Sequence, residues 1–359
     1  LALTVLLATV VMPAFGQQTA AEWLEKGNAF AMQSKYDESI QAYDQAIDIN
    51  PQFADAWYNK GVALGNLGKH DEALQAYDQA IDINPQDADA WYNKGAALSK
   101  LSKHDEALQA FDQAIDINPQ DADAWYNKGN ALKDLGKYDE AIQAYDQAIS
   151  IDPQCAKAWN NKGSVLDDLG KYDEALQAYD QAISIDPQFA FAWYNKGNAL
   201  KDLGKYDEAL QAYDQAISID PQDADAWSNK GAALSDLGKN DVAINAYDQA
   251  ISINPKLDEA WNNKGVALEA LGKNDEAIKA YDQAISINPQ YANAWYNKGV
   301  ALDDLGKNDE AINAYDQAIS IDPQYADAWY KKGAALKALG RTSESDAAFA
   351  KAEELKNAA

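Results

Sequence analysis

The chain has 359 residues, with 57 acidic side chains against 30 basic ones and a formal charge of −27. Nucleic acid held through its phosphates needs a basic face, so no nucleic acid is expected as a partner, and a neutral or basic partner is favoured. Cys155 is the only cysteine, which rules out an internal disulfide.

Leu1 to Met12 is an uncharged apolar run, followed by Pro13 and by Ala14-Phe15-Gly16, which places small residues at −3 and −1 of a cleavage point before Gln17. Residues 1–16 are expected to be a signal peptide shortened at its start, since the chain opens on Leu without a basic region. The expected product is exported, extracellular or at the cell surface, with an uncleaved membrane tether as the alternative. A dozen apolar residues fall short of the ~30 Å of hydrocarbon a spanning helix must cross, so no stable membrane span is expected in the mature chain.

After a lead-in at 17–19, one interval governs the rest. Ten tryptophans, from Trp23 and Trp57 to Trp329, are spaced by 34 residues, and a glycine follows each four places on, from Gly27 to Gly333. Nine prolines, Pro51 to Pro323, keep the same interval. Ten repeats therefore begin at 20, 54, 88, 122, 156, 190, 224, 258, 292 and 326 and fill the chain to 359. Such an array is one extended all-α body whose units touch their neighbours only.

Repeat two shows the pattern within a unit. Trp57, Gly61, Leu64 and Leu67 lie on one face of a first helix, and Gly68 supplies a left-handed stop. Asp71 and Glu72 open a second helix, where they are expected to cap free N–H groups and oppose the dipole. Ala73, Leu74, Tyr77, Ala80 and Ile81 form its apolar stripe, and Asn84-Pro85 ends it. Neither stripe can be hidden by one helix alone, which predicts stacked helix pairs.

Trp57, Gly61, Leu64, Ala73, Tyr77, Ala80 and Pro85 resemble the tetratricopeptide repeat signature, and the likeness recurs in phase over the whole chain after Thr19. The resemblance implies a right-handed α-solenoid of ten helix–turn–helix units, a non-enzymatic scaffold that binds a segment in a concave groove built from first helices. One place departs in every repeat: Lys26, Lys60 and their equivalents to Lys332 stand where the family has Leu. This place falls inside the apolar arc of the first helix. Each stem is therefore expected to pack on aromatic neighbours while its head reaches an acidic side chain or water.

The arc opposite tryptophan holds the second, fifth, sixth, ninth, twelfth and thirteenth residues of a repeat. The fifth is Tyr in six repeats and the sixth is Asn in eight. Tyr supplies rigid contact area and Asn can pair with an extended backbone, which suits peptide recognition. The second place is mostly acidic but becomes Lys157 and Phe191 in repeats five and six. The candidate contact site is accordingly Tyr126, Asn130, Lys157, Asn161, Phe191, Tyr194, Asn195 and Asn198, an aromatic anchor flanked by amides. The family's terminal-carboxylate clamp is incomplete, because Tyr126 stands where its Lys is expected.

Chemistry is not expected. His70 and His104 fill one place in adjacent repeats, too far apart to share a metal, so neither a metal nor a cofactor is expected. Asp-Ala-Asp triplets such as Asp121/Asp123 lack the glycine and glutamate of a calcium loop. No carboxylate sits in an apolar run that would raise its pKa. Asp-Gln-Ala-Ile recurs in nine second helices, and its exposed Asp and Gln need not be fixed for packing. In repeat ten Ser345, Asp346 and Glu353 replace apolar residues, so the last helix, near 343–356, should end the array with its outer side exposed.

Overall fold

The computed structural model describes residues 18–358, so the signal-peptide expectation for 1–16 lies outside them. Among the described residues twenty α-helices follow one another, alternating first helices such as Ala54–Asn66, Ala122–Asp134 and Ala190–Asp202 with second helices such as His70–Ile83, Tyr138–Ile151 and Tyr206–Ile219. The chain forms two compact units, Leu1–Val165 and Leu166–Ala359. Within each, a first helix packs on its own second helix, and that on the next first helix. No helix among the described residues is long and apolar enough to cross a membrane.

The turn inside a repeat is closed as the sequence predicts. Gly68 has φ +74°, and Lys69 N–H donates to Leu64 O at 3.0 Å. Ser34 and Ser102 take the same place at φ 58°, a conformation that costs a side-chain-bearing residue energy. Second helices begin differently from expectation. Their N-caps are lysines such as Lys69 with no side-chain cap bond, so Asp71 and Glu72 act on the dipole without capping. Caps occur on first helices instead, where Asp87, Asp121 and Asp223 accept backbone N–H bonds. The first aspartate of each Asp-Ala-Asp triplet is thus a helix cap.

Between repeats, the tryptophan indole donates to the preceding proline carbonyl, as in Trp57 Nε1 to Pro51 O at 3.1 Å and Trp193 Nε1 to Pro187 O at 3.2 Å. A saturated donor is what lets a large indole sit half-buried at a seam. The innermost positions belong to alanines. Ala56, Ala73 and Ala80 are fully buried and Ala63 and Ala76 nearly so, while Trp57, Leu67 and Leu74 are only partly covered. Small residues let helix axes approach, and the repeat glycine takes that furthest. A Cβ on Gly129 would lie 2.6 Å from the Tyr145 ring. This close approach accounts for a glycine in mid-helix, where its backbone freedom is otherwise a cost.

The terminal repeats differ from the inner ones. Helix Thr342–Ala358 leaves Asp346 and Glu353 exposed, and it is the last helix among the described residues. Ser345 departs from the expectation of an outer polar face: it is buried, and its hydroxyl donates to Gly333 O at 2.8 Å. Ser39 makes the same bond to Gly27 O at 3.0 Å in repeat one, where Thr19 and Glu22 also close a capping box.

Candidate functional site

Two surfaces carry polar and aromatic side chains in an organised way, and the first is the seam between repeats. Lys60 Nζ lies 2.6 Å from Asp44 Oδ1, and the same rung recurs in Lys94–Asp78, Lys128–Asp112, Lys162–Asp146, Lys196–Asp180, Lys230–Asp214, Lys264–Asp248, Lys298–Asp282 and Lys332–Asp316. Each ammonium also stands over the tryptophan three residues earlier, for instance 5.0 Å from the Trp125 ring centroid. The lysine side chain is largely buried and its partner about half exposed, so a cation–π contact and an ion pair offset the desolvation together. The lysine arrangement is the expected one. The aspartate is a correction: in Asp-Gln-Ala-Ile it is held in place by its rung. Lys26 belongs to the first repeat and stands 4.2 Å from the Trp23 ring.

The second surface is the face of the first helices. In the first unit Asn161 Nδ2 donates to Tyr126 Oη at 3.1 Å and to Asn130 Oδ1 at 2.9 Å. Tyr145 Oη donates to the same Asn130 oxygen at 2.8 Å, and the Tyr126 and Tyr145 rings pack with centroids 6.1 Å apart. The link from a sixth-place Asn to the preceding fifth-place Tyr repeats in Asn93–Tyr58 and Asn127–Tyr92. Three of the candidate residues therefore form one hydrogen-bonded group. Lys157 is exposed one turn before Asn161 on the same helix, Ala156–Asp168.

The second unit holds an equivalent group. Asn229 Nδ2 donates to Tyr194 Oη at 2.9 Å and to Asn198 Oδ1 at 3.1 Å, while Tyr213 Oη donates to Asn198 Oδ1 at 2.7 Å. Phe191 stands apart from that network. It is 66% exposed and meets only the edge of Phe189, with ring centroids 6.5 Å apart. Asn195 is half-buried on the same helix. Sequence reasoning missed Asn229, Tyr145 and Tyr213, which fix the tyrosines and amides from neighbouring helices. The 35-residue offset from a fifth-place Tyr to the next sixth-place Asn points to Asn229, and a 15-residue offset from a ninth-place Asn points to Tyr145 and Tyr213.

The twelfth and thirteenth places hold carboxylates in several repeats. Burial, with Asp202 and Asp168 nearby, pushes the Asp167 carboxyl up to about 6, and its Oδ1 has no hydrogen-bond partner among the described residues. The expectation that no carboxylate would be raised is thus wrong for Asp167. Burial of this carboxyl arises in the fold, with no apolar run in its own segment to announce it. Glu269 is raised as well by burial, while accepting a 2.9 Å bond from Tyr281 Oη. His104 Nδ1 lies 3.5 Å from Asp134, and no group of three metal-ligating side chains occurs among the described residues.

Comparison with known proteins agrees with the period. Models described as tetratricopeptide repeat match residues 24–88, 63–122 and 126–189, 258–291, 178–211 and 280–313, and 326–358. A further one, described as TPR repeat, matches 197–238, 231–272 and 303–340. None of the curated proteins matches. Among solved structures, a crystal structure of MamA is 26% identical, covering 46% of this chain and 96% of its own, with a TM-score of 0.44. YrrB, described as a TPR protein with an unusual peptide-binding site, is 27% identical over 53% of this chain and 98% of its own, with a TM-score of 0.46. MamA from Desulfovibrio magneticus RS-1 is 21% identical over 47% and 96%, with a TM-score of 0.46. With family matches running from residue 24 to residue 358, the chain belongs to the tetratricopeptide repeat family.

Proposed function

We propose that the protein is a non-catalytic scaffold that binds a peptide or protein segment on the first-helix faces of its repeats. The observation that carries this reading is Phe191, an aromatic ring left mostly in solvent at a place where most repeats have an acid. Its neighbour Phe189 occupies the N-cap place without a cap bond, although Asp at that place caps other repeats. Phe189 shares its apolar place with Phe53, Leu257 and Tyr325, whereas Phe191 stands exposed where most repeats place an acid, as expected of a contact surface.

The proposed roles follow from the geometry in each unit. In the second, Phe191 is the anchor, and Tyr194, Asn195 and Asn198 supply ring area and amide groups beside it. In the first, Tyr126, Asn130, Lys157 and Asn161 offer a similar polar-aromatic surface. Asn130 and Asn198 each accept twice at their oxygen, while Asn130 Nδ2 also donates to Asn127 Oδ1 at 3.5 Å and Asn198 to Tyr194, so each amide keeps one of its two hydrogens for a ligand carbonyl. We propose further that the mature protein is exported, on the strength of Leu1–Met12 and the small residues at Ala14 and Gly16.

Selection of displayed random peptides on the chain from Gln17 onward tests the first proposal. A selected peptide should bind saturably and lose about 2 kcal/mol of affinity or more with Phe191→Asp, while melting is unchanged. Failure to enrich any peptide would favour a structural spacer of the cell envelope. Unchanged affinity with lowered melting would make Phe191 a packing residue.

A further inference from the structure

The aromatic residues of repeats nine and ten cluster around carboxylates. Tyr296 and Tyr325 pack with ring centroids 5.0 Å apart and planes tilted by 34°. Tyr330, one repeat on from Tyr296, is 52% exposed. Tyr325 stands at an N-cap place, makes no cap bond and packs one side against the core of Ala318, Ile319 and Ala328. Asp327 acts electrostatically on both Tyr296 and Tyr325, as Glu269 does on Tyr296 and Asp322 on Tyr325. The rings therefore lie in a negative field.

One cation already sits there. Lys356, from the last helix, places its Nζ 3.3 Å from Asp327 Oδ1 and 5.4 Å from the Tyr330 ring centroid. Its side chain is 56% exposed and that of Asp327 64%, so the contact is held loosely at the surface. Aromatic faces beside a carboxylate attract an ammonium or guanidinium group, and Lys356 occupies the place in that manner. We propose that Tyr325, Tyr330 and Asp327 form a receptor for a lysine or arginine side chain of the bound segment, which displaces Lys356. The inference rests on the peptide-binding reading and adds to it the chemistry of one partner residue. A second copy of this chain is a poor occupant, because two bodies of charge −27 repel.

The test compares a fluorescein-labelled Gly/Ser peptide carrying lysines with the same peptide carrying glutamines, both titrated into the chain from Gln17 onward. Lys356→Gln should tighten the lysine peptide about two- to fivefold. Lys351→Gln makes the same charge change on the same helix, where Lys351 pairs with Glu354, and should do much less. Tyr330→Leu, which alters no charge but also loses the ring packing on Phe349 at 5.3 Å, should weaken the lysine peptide by a similar factor, whereas Phe349→Leu, which loosens the same packing without removing the Tyr330 ring, should not. Equal responses to Lys356→Gln and Lys351→Gln would reduce the effect to net charge and overturn the receptor. So would equal binding of the lysine and glutamine peptides. Phe191→Asp judges the peptide-binding reading separately, with the peptides selected above.

Discussion

The seam between repeats and the face of the first helices are built from the same 34-residue unit, yet they treat variation in opposite ways. At the seam, nine Lys–Asp rungs repeat at 2.5 to 2.6 Å, each with its tryptophan, and the chemistry does not change from one repeat to the next. On the face, the fifth place is Tyr126, Asn160, Tyr194, Ser228 and Asn262 in successive repeats, and the second place runs from acid to Lys157 and Phe191. The difference teaches where stability is stored and where the proposed ligand would be read. Every seam must satisfy the same neighbour, whereas the face is free to vary, both at buried places such as Asn160, Ser228 and Asn262 and at exposed ones such as Lys157 and Phe191.

Removing a seam tryptophan should therefore cost far more than altering the face. Trp193→Ala removes a half-buried indole, its bond to Pro187 and the ring under Lys196, and should lower stability by about 3–5 kcal/mol. Thermal or denaturant unfolding measures this, and a loss as small as that from Phe191→Asp would erase the distinction. The connecting turn offers a gain. Ser102→Gly relieves a left-handed backbone and should stabilise by about 1 kcal/mol, with no comparable gain from Ser99→Gly in the helix before it.

Asp167 sharpens the comparison because it is a face residue that is partly buried. Its carboxyl titrates at about 6 in the fold, against roughly 3.9 in an unfolded chain. Below the unfolded value both states are protonated and the residue costs nothing. Between the two values only the unfolded chain ionises, so stability falls as pH rises, and the full cost is present above the folded value. Asp167→Asn should raise the melting temperature near neutral pH and leave it unchanged in the acid range. A gain that is the same at both would show that the charge is not the cause.

The smallest expected effect is that of a single rung. Asp180→Ala leaves the Lys196 ammonium with its tryptophan alone and should cost about 0.2–1 kcal/mol, less at high salt. Replacing both partners by leucine should restore most of the loss, since Leu is the family residue at the lysine place. A cost of several kcal/mol that salt does not change would mean that the rungs act by packing and not by charge.

Much of this was legible in the sequence because it repeats. The spacing of Trp57 and Trp91 announces the unit, Gly68 the turn and Pro85 the stop, and each needs only local rules. What sequence alone concealed depends on partners brought from outside the segment. Asp44 read as an idle exposed acid until Lys60, sixteen residues on, was seen beside it. Ser345 read as a polar outer face, whereas the carbonyl of Gly333 draws it inward. The candidate amides and tyrosines were found by their place on a wheel, but that wheel could not show that Asn161 is already committed to Tyr126 and Asn130.

The rungs also bear on how such a chain changes length. Each inner repeat offers a lysine to the unit before it and an aspartate to the unit after it, like a plug and a socket of fixed pattern. Removing or copying a whole unit brings together a plug and a socket that have never met, and they fit. The number of repeats can then drift by recombination within the gene without any compensating substitution. In repeat ten Ala350 stands at the place of the aspartate, so that repeat carries the plug and lacks this socket.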